Sequence, residues 1–170
     1  MEWLGVNSKN ILSRKHDYCV QVKKLYFCRL PYIHANRMAF DPVGRNWVRN
    51  TIRASLQKKF GEPDQNHSKI VLSRRYCHRR RIINEHEFLD LFKFYNYGTV
   101  YPEKLSEIEK VEKCYHSNNI IAFPSGSAVS NIIFAHPHSS FVDIIPEGEN
   151  TFKLWYLVSQ ELGVNYKLIK

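Results

Sequence analysis

Apolar residues in this chain fall into two rhythms. Short runs rich in apolar residues at 25–29, 69–73, 99–101, 120–123, 141–145 and 166–169 read as strands, with 120–123 apolar throughout. A strand covered on both faces is apolar at nearly every position rather than at every second one. Between these runs the apolar spacing lengthens to three and four residues, the period of a helix. Trp47, Val48, Thr51, Ile52, Ser55 and Leu56 share one such face. Asp41 caps that helix, Pro42 takes its first position, and Gly61 and Pro63 stop it. Asn84 and Glu87 make a capping-box pattern ahead of Phe88, Leu91, Phe92 and Tyr95, with Gly98 as the stop. Ser106 and Glu109 make a second one, ahead of Ile108, Val111 and Tyr115, with Glu109 and Lys113 as an ion pair one turn apart. A further helix follows Ala128 and halts before Pro137. The last runs from Thr151 through Leu154, Trp155, Leu157, Val158 and Leu162 to Gly163.

Strand and helix alternate strictly from residue 25 to the end. That order predicts an α/β fold, a Rossmann-like three-layer sandwich whose mostly parallel sheet has about six strands and helices on both faces. Right-handed crossovers bring the loops after the strands to one edge of the sheet, where ligands of such sheets bind.

Two loops on that edge carry candidate chemistry. In residues 119–131 a buried strand breaks at Pro124 into the small-residue turn Ser125-Gly-Ser-Ala128 and then a helix. The first N–H groups of a helix lack partners within it and carry partial positive charge, and small side chains let an anion approach them. Taken alone, the pattern fits an ordinary tight turn better than an anion site. The second loop, residues 73–81, holds Arg74, Arg75, Arg79, Arg80 and Arg81 directly after a strand. Guanidinium groups stay charged and grip phosphate oxygens in pairs. A solvated basic loop and a nucleic-acid contact are the other readings. Against the latter, Tyr76 is the sole aromatic in the cluster.

With 170 residues, one domain is the expectation: residues 1–22 as a polar, basic lead-in or a remnant of an absent N-terminal half, and 23–170 as the folded domain. The net charge of +9 calls for an anionic partner: nucleic acid, an anionic membrane or a phosphorylated small molecule. No run is long enough for a membrane span and no signal-peptide pattern opens the chain, so a cytoplasmic location is expected. Cys19, Cys28, Cys77 and Cys114 form no C-x-x-C pair, so free thiols in a reducing compartment are expected and zinc is not. His136 and His138 read as helix-end and loop residues.

The motifs also carry a resemblance. Lys69-Ile-Val-Leu-Ser-Arg-Arg75, then Arg79-Arg-Arg-Ile-Ile-Asn-Glu85, resembles the opening of the C-terminal half of glycosyltransferase family 61. Thr99-Val-Tyr-Pro-Glu103 with Leu105 and Ser106 is similar to the next block. Pro124-Ser-Gly-Ser-Ala-Val-Ser-Asn131, with Phe134 and Ala135, resembles the family's Pro-His-Gly-Ala-Gly-Leu-Thr-Asn element. Phe141-Val-Asp-Ile-Ile-Pro146 and the Trp155 helix fit its ending. The resemblance implies the nucleotide-sugar-binding half of a two-domain, GT-B-type enzyme. Such an enzyme transfers a sugar with inversion from a nucleotide donor, possibly a UDP-sugar, to a glycan or protein-linked acceptor, without a bound metal. Nucleic acid is then not the expected partner, and a lumenal location follows if the chain derives from a longer eukaryotic enzyme.

The donor residues implied are Ser73, Arg74, Arg75, Arg80, Arg81, Ser125, Gly126, Ser127, Ala128 and Asn131. Ser125 stands where the family usually has His and Ala128 where it usually has Gly. No carboxylate stands out as catalytic base. Asp143 reads as satisfying a neighbouring loop, and Glu147 and Glu149 as solvated turn residues. The isolated chain is therefore expected to lack that base, and a non-catalytic nucleotide-binding remnant or a basic nucleic-acid-binding protein is the alternative.

Overall fold

The computed structural model describes residues 7, 9, 23, 24, 42–63, 68–78, 81–145 and 152–170. The strand expected at 25–29, the Asp41 cap, Arg79, Arg80, Glu147 and Glu149 lie outside these residues, and the expected boundary at 22/23 adjoins undescribed ones. The chain divides into two compact units, residues 1–55 and 56–170. Helix α1, Pro42–Phe60, begins in the first unit and ends in the second. Its expected buried face holds only in part: Leu56 is 1% exposed, but Trp47 is 68% exposed.

The second unit holds a parallel sheet of β1 (Ser68–Ser73), β2 (Gly98–Val100), β3 (Ser117–Phe123), β4 (Ser140–Ile144) and β5 (Asn165–Ile169). Their order across the sheet is β2-β1-β3-β4-β5. Every pairing is parallel, as the βαβ alternation requires. The result is a Rossmann-like α/β sandwich with five strands among the described residues.

Two cores lie on opposite faces, because successive residues of a strand point to opposite sides. Ile70, Leu72, Ile120 and Ala122 pack with Cys114 of helix α3 (Glu107–Tyr115), with Val129 and Ile132 of a 3-10 segment, Ser127–Phe134, and with Leu162 of helix α4 (Phe152–Leu162). Val71, Ile121 and Phe123 pack with Leu89 and Phe92 of helix α2 (Glu85–Phe94). The runs at β1 and β3 are continuous because both faces are covered. At the end of α1, the Tyr115 hydroxyl donates to the Gly61 carbonyl at 2.9 Å, and Phe60 lies against the Tyr115 ring.

Several expectations shift in detail. The capping box at Ser106 forms completely: its hydroxyl accepts from Glu109 N–H, and the Glu109 carboxylate accepts from Ser106 N–H at 2.7 Å. At Asn84 no side-chain cap forms; its amide donates to Glu87 at 3.3 Å. The α2 face is rotated: Leu89 and Glu85 are buried, whereas Phe88, Leu91 and Tyr95 are exposed. Asn96, at φ 64°, takes the left-handed position after α2, and Gly98 enters β2 instead of stopping the helix. In α4, Trp155 and Val158 pack on the core but Leu157 is exposed. The segment before Pro137 is a 3-10 helix, not an α-helix. Among the described residues, no helix is long and apolar enough to cross a membrane.

Candidate functional site

The strand order defines a reversal point. From β1 the chain crosses to β2 on one side, then returns over β1 to place β3 on the other. At such a point the loops leaving β1 and β3 part to opposite faces and open a crevice at the strands' carboxyl ends. Here those loops are the arginine loop and the turn after Phe123. Ser73 and Phe123, the last residues of the two strands, are register partners, so the loops start side by side.

Each loop is anchored. A cis peptide joins Phe123 to Pro124. The Ser125 N–H donates to the Ile144 carbonyl at 2.7 Å, tying the turn to the end of β4, and the Val129 N–H donates to the Gly126 carbonyl at 3.0 Å. Ser130 Oγ donates to the Ser127 carbonyl at 2.7 Å, and the Asn131 amide to the Ala128 carbonyl at 3.0 Å. Ser125 and Ala128 are buried and Ser127 is exposed. In the other loop, Ser73 is wholly buried. Its hydroxyl donates to the buried Glu85 carboxylate at 2.6 Å and accepts the Arg75 N–H at 3.1 Å. Ser73 and Glu85 thus fix the path of the chain as it leaves the sheet.

The two leading arginines separate. The guanidinium of Arg74 lies across Gly126 so closely that a Cβ there would stand 1.9 Å from Nη1 and 2.7 Å from Cζ. Only a residue without a side chain allows that approach. Arg75 is exposed on the α2 side. It lines a shallow depression of about 450 Å³ with Arg81, Ile82, Ile83, Glu85 and His86, and a second of about 440 Å³ that runs along α2 past Asp90 to Tyr101. Among the residues picked out from the sequence, Arg74, Gly126, Ser127, Ala128 and Asn131 therefore gather about the turn after β3. Arg75 and Arg81 gather beside α2. Ser73 and Ser125 are buried at the loop roots, and Arg80 lies outside the described residues.

Sequence reading passed over the far side of the arginine loop. Lys104 Nζ lies 3.8 Å from the Tyr76 ring centroid and 5.6 Å from that of Tyr101. Hydrogen bonding to Lys104 and its charge hold the Tyr76 phenol below the usual tyrosine range. The Cys77 thiol donates to the Glu103 carboxylate; burial, then that bond, push the thiol up. Tyr76 and Cys77 sit far in sequence from Tyr101, Glu103 and Lys104, and the parallel pairing of β1 with β2 brings the two groups together. Asp143, expected to satisfy a loop, accepts the Tyr166 hydroxyl of the adjacent strand at 2.7 Å. Burial and that bond raise the Tyr166 phenol above its usual range.

An all-parallel sheet with arginine and glycine facing each other at its reversal point places the chain among Rossmann-like α/β domains. Residues 7–142 match the family described as Glycosyltransferase 61, and the chain belongs to that family. No curated protein matches it.

Proposed function

We propose that this glycosyltransferase domain binds a nucleotide-sugar donor at the reversal point and serves inverting transfer of the sugar to a glycan or protein-linked acceptor in a GT-B-type arrangement. The observation that carries the reading is the Arg74 guanidinium lying across Gly126, between the carboxyl ends of β1 and β3. Arg74 and the N–H groups of Ser127 and Ala128 hold the diphosphate and stabilise the charge that develops on it as the nucleoside diphosphate leaves. Arg75 and Arg81 face the neighbouring depression and add positive potential from the α2 side. No metal is required in this scheme, because guanidinium and backbone groups supply the countercharge.

Among the described residues, no carboxylate at this edge stands out as the base that deprotonates the acceptor. That base must reach the attacking hydroxyl on the side opposite the leaving group. The buried carboxylates near this edge are engaged, Glu85 by Ser73 and Asp143 by Tyr166. A thermal-shift series with UDP, GDP, ADP and CMP, followed by a transfer assay, tests the proposal. A ligand at one hundred times its Kd adds about 2.7 kcal/mol to stability, a rise of several degrees at this size. The expected result is a rise with one nucleoside diphosphate, abolished by Arg74→Ala, and no useful turnover by this chain alone. Equal shifts in the wild type and Arg74→Ala would refute the site; robust turnover would refute the missing base.

A further inference from the structure

We infer that the turn after β2 is a latch that positions the arginine loop, with Glu103 and Lys104 as positioning residues for the anion site. The inference rests on the reading of the reversal point as the donor site. Two side chains of the 3-10 turn Pro102–Lys104 reach across to two consecutive residues of the loop after β1. Glu103 accepts the Cys77 thiol, and Lys104 caps the Tyr76 ring while Tyr101 meets that ring edge-on at 5.1 Å. The Cys77 N–H in turn donates to the Arg74 carbonyl at 2.9 Å, closing a tight turn whose central residues are Arg75 and Tyr76. Residues 74–77, held at their root by Ser73 and on their far side by this turn, have few conformations left, and Arg74 and Arg75 start from a fixed backbone before any ligand arrives. Preordering of this kind raises affinity by removing the entropy cost of fixing the loop at binding.

The sign of the charge at Glu103 makes the inference separable from direct contact. Glu103 is exposed and anionic, so its removal on Coulomb grounds alone would tighten binding of a diphosphate. A latch predicts the opposite. The experiment uses the whole chain and UDP as the probe. It reads amide hydrogen exchange at residues 75–78 without ligand, and Kd by calorimetry, in the wild type, Glu103→Ala, Glu103→Gln and Lys104→Met. Glu103→Ala and Lys104→Met are expected to speed exchange at 75–78 and raise Kd about two- to fivefold, the worth of one exposed contact of this class. Glu103→Gln keeps an acceptor for the thiol and is expected to restore both. The ligand-free melting temperature tracks whether each variant is folded.

Unchanged exchange in both latch variants overturns the inference. So does faster exchange with an unchanged or lower Kd in Glu103→Ala, which leaves the contact as local packing. A wild-type chain that binds none of UDP, GDP and ADP while exchange at 75–78 still responds refutes the donor reading itself, and the positioning role falls with it.

Discussion

Replacing Gly126 by alanine separates the fold from the anion site more cleanly than removing the arginine does. The Gly126 backbone is extended, with φ 169° and ψ −154°, so alanine is not strained there. The new methyl would stand 1.9 Å from Nη1, 2.7 Å from Cζ and 3.3 Å from Nε of Arg74. These are the far atoms of a flexible side chain, so the guanidinium swings away and the sheet stays in place. Alanine also restricts the unfolded chain, which favours the native state by about 0.4–1 kcal/mol. Against this stands the packing that Arg74 loses, and the net change in stability is expected within about 1 kcal/mol of zero. Binding is another matter. A hydrogen bond from a charged group is worth about 1.5–3 kcal/mol, so displacing the guanidinium weakens UDP binding about ten- to 150-fold. Calorimetry with UDP and thermal unfolding of the same preparations measure the two quantities. Gly126→Ala should match Arg74→Ala in affinity while melting within a few degrees of the wild type. A Kd within about twofold of the wild-type value would refute the reasoning, since the proposed site depends on that guanidinium position.

Other consequences follow from the same contacts. Ser106→Ala removes the capping box of α3 and is expected to cost about 0.5–2 kcal/mol in urea unfolding at neutral pH. The Ser106 hydroxyl and N–H hold the Glu109 carboxyl below its usual range. That contribution is present above the unfolded carboxyl value and is lost as pH falls through the folded one, so the gap between wild type and variant narrows in acid. Tyr166→Phe takes a donor from buried Asp143 and is expected to lower stability by about 1–3 kcal/mol, read from the urea midpoint. Cys114, whose thiol burial pushes up to about 12, should resist alkylation at pH 8 until the protein unfolds; peptide mass spectrometry measures this, and rapid native labelling would contradict the packing of α3.

The sheet was readable from the chain because β1 and β3 are buried on both faces, which leaves no polar alternation to confuse the pattern. The start of β3 was hidden for the converse reason. Ser117 is polar yet buried, its hydroxyl satisfied by the Lys113 carbonyl at 2.6 Å. The orientation of α2 was not readable either. Phe88, Leu89, Leu91, Phe92, Phe94 and Tyr95 spread apolar surface around much of the helix, and the bond from Ser73 to Glu85 joins the start of α2 to the end of β1. The 3-10 winding of Ser127–Phe134 accompanies side-chain bonds from Ser130 and Asn131 to carbonyls three residues back, which compete with the α-helical ladder. At the site, the meeting of the two loops followed from topology, and the resemblance picked out the same residues. The parting of Arg74 from Arg75 did not, although consecutive residues leaving a strand start toward opposite faces. The latch depended on side chains 26 residues apart, Cys77 and Glu103, that the sequence pattern does not link.

The central claim is tested most directly by a crystal structure of the chain with UDP. The account predicts the diphosphate within hydrogen-bond reach of the Arg74 guanidinium and of the N–H groups of Ser127 and Ala128, above Gly126. A diphosphate found in the depression beside α2, held by Arg75 and Arg81 with Arg74 uninvolved, would contradict it.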